Sequence, residues 1–435
     1  MYFIPIYIAI LAGTIVIDYF AGIYIEKSFG NKRKLFLIVS LFANILVLGI
    51  FKYYNFFLEN IEVLMLSFGI NNNLPYLSIL LPVGLSFHTF QAMSYTIEVY
   101  RGNQKAEKHF GIYSLYVMFF PQLVAGPIER PQNILHQFHE KMNFKKENIE
   151  KGAKIMLWGF FMKVVVADRL AQYVNAAYGN VEFHSGTTLL IATLFFTFQI
   201  YCDFAGYSYI AIGSAKILGY DLMNNFKRPY FAKSISEFWS RWHISLSTWF
   251  RDYLYFPLGG NRVYRYRWYF NLFIVFLISG IWHGANWTFV IWGALNGLYL
   301  VFSIVSQKYR DKINSFLGLS KNKIIFEFIQ IITTLILTSF AWIFFRANSL
   351  SEAFIIITKI FTNLTSDIFI RWEVFFGVFI GLTILLFKEF REEYFIRKFR
   401  VLNNSIVRLF IYSFLIVSII LLGVFDSGQF IYFQF

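Results

Sequence analysis

Apolar runs and charged breaks alternate along almost the whole chain, at lengths that fit helices crossing a bilayer. Residues 3–25 form a continuous apolar run holding one acid, Asp18. Lys27, Lys32, Arg33 and Lys34 follow it and mark a cytoplasmic loop. Residues 35–51 return outward. Residues 53–70, interrupted by Asn55, Glu59 and Glu62, read as a weaker segment along an interface. Pro82 and Gly84 fall inside the run 77–93, beside His88, and predict a broken helix buried in protein. Pro121, Pro127 and Pro131 forbid a regular helix at the end of 113–127, which reads as a re-entrant turn or span end. The mixed-charge stretch 129–154 predicts an amphipathic cytoplasmic helix resting on the membrane. Spans follow at 155–174 and 187–204, with Lys163, Asp168 and Arg169 spaced as at a helix end near the headgroups. A small-residue helix at 205–218 suits close packing. Beyond a basic segment, 221–267, apolar runs cover 270–281, 287–305, 324–345, 372–387 and 406–425. The pattern predicts an all-α polytopic protein with about ten transmembrane helices and several re-entrant or half-spanning segments.

One of those short segments carries a titratable group at its tip. Residues 280–300 read GIWHGANWTFVIWGALNGLYL, and the apolar run that ends there starts at Trp268, which makes it about 21 Å long against about 30 Å of hydrocarbon. Arg262, Arg265 and Arg267 precede the pair of runs, and Lys308, Arg310 and Lys312 follow it. Flanks of one sign place both ends on one side, so His283 turns around inside the membrane. An ionisable side chain at that depth is a functional-site candidate; the alternative is a histidine that only bonds a neighbouring helix.

Composition narrows the class. The chain has 435 residues, of which 57% are hydrophobic, 21% aromatic and 15% charged, more apolar surface than a soluble domain can hide. The net charge of +14 is spread between the apolar runs, which points to membrane lipids of an anionic leaflet as partner and away from nucleic acid. A single cysteine, Cys202, excludes an intrachain disulfide and any CxxC metal site. The N-terminus stays apolar past residue 20 without a small-residue cleavage site and reads as a retained span. We therefore expect one membrane-embedded domain over 1–435, with 129–154 and 221–267 as cytoplasmic or interfacial helical segments.

The basic segment is organised around an aromatic face. Ser234 and Glu237 form a capping box, after which Trp239, Trp242, Leu246, Trp249 and Tyr253 recur at three- and four-residue intervals on one predicted helix. Arg241 lies on the other side and His243 at the edge of the aromatic face. No phosphate loop, dinucleotide fingerprint, HExxH or GxSxG is present, and His136 and His139, at metal-like spacing, sit in a polar stretch with no buried carboxylate pair. What remains is His283, next to Trp282 and Asn286, behind a basic aromatic helix. A neutral imidazole there suits a general base acting on an alcohol, and arginines at a cytoplasmic mouth suit a phosphate-bearing donor. A transporter with a protonatable histidine has the same composition.

FKRPYFAKSISEFWSRWHISLSTWFRDYLYFPLGGNR (226–262) followed by SGIWHGANWTFVIWGALNG (279–297) resembles the membrane-bound O-acyltransferase family, in its bacterial alginate and peptidoglycan O-acetyltransferase branch. LPVGLSFHTFQAMSYTIEVYRG (81–102), FPQLVAGPIERP (120–131), AWIFFRANSLSEAF (341–354) and the terminal FIYFQF extend the resemblance over essentially the whole chain. It implies a bacterial inner-membrane enzyme built around a central tunnel. Acetyl groups would pass from a cytoplasmic donor, acetyl-CoA, to a polysaccharide hydroxyl outside, with no metal and with an extracytoplasmic partner protein completing the transfer. It implies that His283, in the WHG motif, is catalytic. His243, in RWHIS, would line or support the tunnel, with Trp239, Arg241 and Trp242 shaping the donor entrance. D-alanyl transfer to teichoic acid is the alternative cargo within the family. Relatives begin with one or two more spans, and where they read FDFSGYSDMAIG this chain has CDFAGYSYIAIG (202–213), with Tyr209 in place of an acid.

Overall fold

The computed structural model describes residues 7–70, 74–78, 84–123, 126–366, 368–369, 372–395 and 404–425. All regular structure among them is helical. Their contacts divide the chain into two compact units, Met1–Ala153 with Ala211–Met223, and Lys154–Ile210 with Asn224–Phe435.

In the first unit, α1 (Tyr7–Lys27) packs on α2 (Gly30–Leu48). Asp18 is fully buried between them, accepting from the Ser40 hydroxyl at 2.6 Å and the Asn44 amide at 2.9 and 3.1 Å. Three bonds offset the cost of burying that acid, which fits an intramembrane carboxyl. The segment expected to lie along an interface instead continues α2: a π-turn at Gly49–Tyr53 leads directly into α3 (Tyr54–Ser67). Its polar residues are absorbed locally, as Asn55 bonds the backbone of Leu77 at 2.9 Å. Gly84, at φ 79°, turns the chain into α4 (Leu85–Arg101); Pro82 lies outside the described residues. Next come α5 (Phe110–Met118) and α6 (Pro131–His139). The single surface helix expected over 129–154 is therefore two pieces, because the chain leaves helical geometry at Glu140 and resumes at Lys146 as α7 (Lys146–Phe160).

The second unit takes in the later part of α7, a π-turn (Phe161–Ala167), α8 (Asp168–Tyr178) and most of α9 (Gly186–Leu218). Two expected helices, 187–204 and 205–218, are one in the structure. Its small residues do allow close approach: a Cβ on Gly159 would lie 2.7 Å from the Gly206 carbonyl oxygen. Lys163 overturns the expectation of a headgroup-level helix end. Its ammonium is enclosed with Asp168, at 2.7 Å, and with Asp203 of α9, and both carboxylates are buried. Two short helices follow, α10 (Ile235–Arg241) and α11 (Ile244–Phe250), then a π-turn (Arg251–Tyr255).

Next comes a helical hairpin, α12 (Arg265–His283) and α13 (Trp287–Val305). Glycines set its spacing: a Cβ on Gly280 would meet the Phe289 carbonyl at 2.3 Å, and one on Gly293 the Phe276 carbonyl at 2.4 Å. Then α14 (Gln307–Phe316) leads to α15 (Lys323–Arg346), α16 (Leu350–Thr362), α17 (Trp372–Tyr394) and α18 (Ser405–Leu422). Six helical stretches among the described residues are long and apolar enough to cross a membrane: Tyr7–Lys27, Gly30–Ser67, Gly186–Leu218, Trp287–Val305, Lys323–Arg346 and Ser405–Leu422. Several of the other expected spans are shorter or carry charge; α12 opens on Arg265 and Arg267. The terminal FIYFQF and part of the basic loop (Arg397, Lys398, Arg400) lie outside the described residues.

Candidate functional site

The α12–α13 hairpin places His283. Helix α12 ends on that residue, Gly284 is extended, and Asn286 starts α13 by accepting the Thr288 amide at 2.9 Å. The Asn286 amide also donates to the Asn348 carbonyl at 3.0 Å, so this side chain holds the turn that presents the histidine. His283 itself is 7% exposed. Three aromatic rings surround it with centroids 4.8 to 5.2 Å away, Trp282, Trp292 and Phe345, all edge-on.

The RWHIS segment reaches the same place from another direction, and by a fold that the periodicity did not predict. The single aromatic-faced helix is interrupted at His243, which adopts a left-handed backbone (φ 41°, ψ 55°) between α10 and α11. Asn225 explains the break. Its carbonyl accepts the Ile244 amide at 2.9 Å, and its side-chain oxygen accepts the Ser245 amide at 3.1 Å and the Ser245 hydroxyl at 2.9 Å. The same oxygen lies 3.2 Å from His243 Nδ1, so Nδ1 carries the proton and donates. Burial lowers the His243 imidazole to about 3, which keeps it neutral at physiological pH. The capping box read from the sequence is present: Ser234 accepts the Glu237 amide at 3.1 Å, and the Glu237 carboxylate accepts the Lys233 amide at 2.8 Å.

A path of ring contacts links the two histidines. Trp292, beside His283, stacks on Trp342 at 5.7 Å and 21°. Trp342 meets Trp242 at 5.1 Å, Trp242 meets Phe226 at 5.1 Å, and Phe226 stacks on His243 at 6.4 Å. Trp239 joins from α10, 5.7 Å from Trp292. A cavity of about 530 Å³ opens beside Trp239 and is lined also by Ser247, Thr248, Arg251, Phe276 and Ser279. Ser279 lies one turn before His283 on α12, and the buried Trp239 indole N–H next to the cavity has no hydrogen-bond partner among the described residues.

Arg241 is placed differently from a donor-binding arginine. Its guanidinium bonds Glu237 at 2.6 Å and Glu393 at 2.9 Å, and Glu393 also takes Arg228 at 2.7 Å. Both pairs are made by Nη2, while Nη1 donates to the Arg228 carbonyl at 3.3 Å, and together they tie α10 to α17. Arg251, more exposed and paired with the adjacent Asp252 at 2.8 Å, is the cation that lines the cavity. The structure thus connects His283 and Trp282 with Trp239, Trp242 and His243 through a chain of ring contacts, and gives Asn286 and Arg241 bracing contacts at its edge. Sequence reasoning missed Trp292, Trp342, Phe345 and Asn225. The first three lie within the quoted motif stretches, and only the return of α13 and α15 past His283 distinguishes them from ordinary span aromatics.

Residues 109–345, which include both histidines, match the family model described as MBOAT, membrane-bound O-acyltransferase family. The chain is 38% identical over 352 residues to a probable alginate O-acetylase of Pseudomonas putida, covering 80% of this chain and 69% of that protein. It is 37% identical over 378 residues to a peptidoglycan O-acetyltransferase of Helicobacter pylori, covering 80% and 68%. A teichoic acid D-alanyltransferase of Streptococcus thermophilus matches at 28% over 248 residues, 53% of this chain and 59% of that one. Against three Pseudomonas alginate relatives the chain spans 64 to 69% of their length.

Proposed function

The chain belongs to the membrane-bound O-acyltransferase family, and from that membership we propose that it is a bacterial inner-membrane O-acetyltransferase acting on a cell-envelope or extracellular polysaccharide. The donor in this reading is acetyl-CoA, presented from the cytoplasm, and the reaction forms a C–O bond to a sugar hydroxyl while the C–S bond of the thioester breaks. His283 takes the hydroxyl proton and returns it to the departing thiolate, so that protons balance over the cycle. An extracytoplasmic partner protein completes the transfer by presenting the polymer hydroxyl to this site.

The observation that carries this reading is the place of His283, an enclosed imidazole at the tip of a hairpin whose first helix opens on Arg265 and Arg267 and turns apolar only from Trp268 on. The aromatic rings around it exclude water, which an activated acyl group requires. The 530 Å³ cavity beside Trp239, with its serine, threonine and arginine lining, is the proposed donor end, and His243 supports it from behind Trp242. In this assignment Arg241 braces the entrance through Glu393, and Arg251 is the residue facing donor phosphates.

His283→Ala tests the proposal. Acetylation of the polymer is expected to fall to background, about a thousand-fold or more for loss of a base acting in the transition state. The variant should still insert in the membrane at the parental level, by immunoblot of membrane fractions. Retained acetylation removes His283 from the mechanism. The teichoic acid relatives keep D-alanyl transfer as a second reading of the cargo. Purified protein given acetyl-CoA labelled in the acetyl group and an acceptor polysaccharide should release CoA and label the acceptor; acyl transfer only from a D-alanyl donor selects the second reading.

A further inference from the structure

A second and larger cavity, about 880 Å³, lies away from the histidines, between α7, α17 and α18. None of the rings around His283 lines it. Its wall is apolar and aromatic, with Trp158, Ile384, Phe387, Phe414 and Leu415, yet four cations stand at its rim: Lys154, Lys388, Arg391 and Arg408. Lys388 and Arg391 lie near the C-terminal end of α17 and Arg408 near the N-terminal start of α18. Leu415 lies about 10 Å further along α18, and Ile384 one turn before Lys388 on α17.

Among the described residues the cations outnumber the carboxylates that pair with them. Glu392 serves Lys388 at 3.0 Å, Arg391 at 3.5 Å and Arg228 at 3.7 Å together. Among the described residues neither Lys154 nor Arg408 has a carboxylate partner; Lys154 lies over the Tyr412 ring at 5.8 Å, and Arg408 reaches only the Ser405 hydroxyl at 3.4 Å. Lys388 sits 4.1 Å from the centre of the Trp158 ring, so an aromatic shelf already holds that ammonium at the boundary of the apolar wall. Phe387, Phe410 and Phe414, each more than half exposed, open the cavity towards hydrocarbon.

We propose that this cavity is a binding site for one phospholipid with an anionic headgroup, its phosphate held by Lys154, Lys388, Arg391 and Arg408 and an acyl chain lying against Trp158, Phe387 and Leu415. Charge complementarity selects the headgroup, and the fat-facing apolar wall selects a lipid over a soluble anion. The site is separate from the acetyl-transfer reading and its test reads lipid, not acetylation.

The full chain, purified in detergent and supplied with equal amounts of phosphatidylglycerol and phosphatidylcholine, is examined by native mass spectrometry. One phosphatidylglycerol should be retained in preference to phosphatidylcholine. The Lys154→Gln/Arg408→Gln double variant should lower that retention about ten-fold or more, as loss of two interfacial cations warrants. Leu415→Trp, which fills the apolar end and leaves every cation in place, should lower it as well. Equal retention of the two lipids, or retention unchanged in both variants, overturns the proposal. So does displacement of the lipid by millimolar inorganic phosphate or CoA, which would make this a site for a soluble anion.

Discussion

The side-chain oxygen of Asn225 receives three donors in one buried place, the His243 ring, the Ser245 amide and the Ser245 hydroxyl. Removing it leaves those donors without an acceptor and without water. Asn225→Ala is therefore expected to cost about 2–3 kcal/mol, read as a fall in Tm of the purified protein, with Asn225→Asp recovering part of it because the acceptor is kept. An unchanged Tm in Asn225→Ala would mean that the clip holds nothing. Depth in the hydropathy pattern is what made His283 a candidate, since few ionisable groups sit where the hydropathy places it. The bracing role of Arg241 was not legible, because its partner Glu393 is 152 positions away and no local pattern announces that pairing. Asn225 was hidden for the same reason on a smaller scale: it lies outside the periodic face that draws attention to Trp239 and Trp242.

At the scale of elements, the break between α10 and α11 and the contact between α12 and α13 make opposite demands on side-chain size. His243 holds φ 41°, where a Cβ is strained, and it stays there because Asn225 and the rings of Phe204 and Phe226 fix it. Comparing two truncations isolates the backbone part: His243→Gly should be more stable than His243→Ala by about 1 kcal/mol, since both lose the imidazole and only Ala keeps the Cβ. Equal Tm values would show that the left-handed turn relaxes on truncation. In the hairpin, by contrast, Gly293 faces Gly280 with Cα atoms where any side chain must push the helices apart. Gly293→Leu should cost more than 3 kcal/mol and lower the amount of folded protein recovered, measured by size-exclusion after detergent extraction. Hydrophobic periodicity foresaw most helices but not their joints. It divided α9 in two because composition changes at Ala205, and it fused α10 with α11 because three- and four-residue spacing survives a single left-handed residue.

For the molecule as a whole, length and apolarity fix that it is a helical membrane protein, while the fate of each short segment depends on what packs beside it. The hairpin decides the topology most directly. Gly297 approaches Phe273, Gly293 approaches Phe276 and Gly280 approaches Phe289, a register in which the positions sum to nearly the same value, so α12 and α13 run antiparallel along their whole length. The N-terminal end of α12, with Arg265 and Arg267, therefore lies at the same level as the C-terminal end of α13 and the basic start of α14. Both ends should face the cytoplasm by the distribution of positive charge. The chain suits a direct test because its one cysteine, Cys202, is buried and replaceable. In a Cys202→Ala background, Tyr266→Cys and Tyr309→Cys, both at exposed positions, should resist a membrane-impermeant maleimide in intact spheroplasts and react after lysis. If one site labels before lysis and the other only after it, the two flanks lie on opposite sides, which an antiparallel hairpin forbids, and the shared cytoplasmic placement of both ends fails.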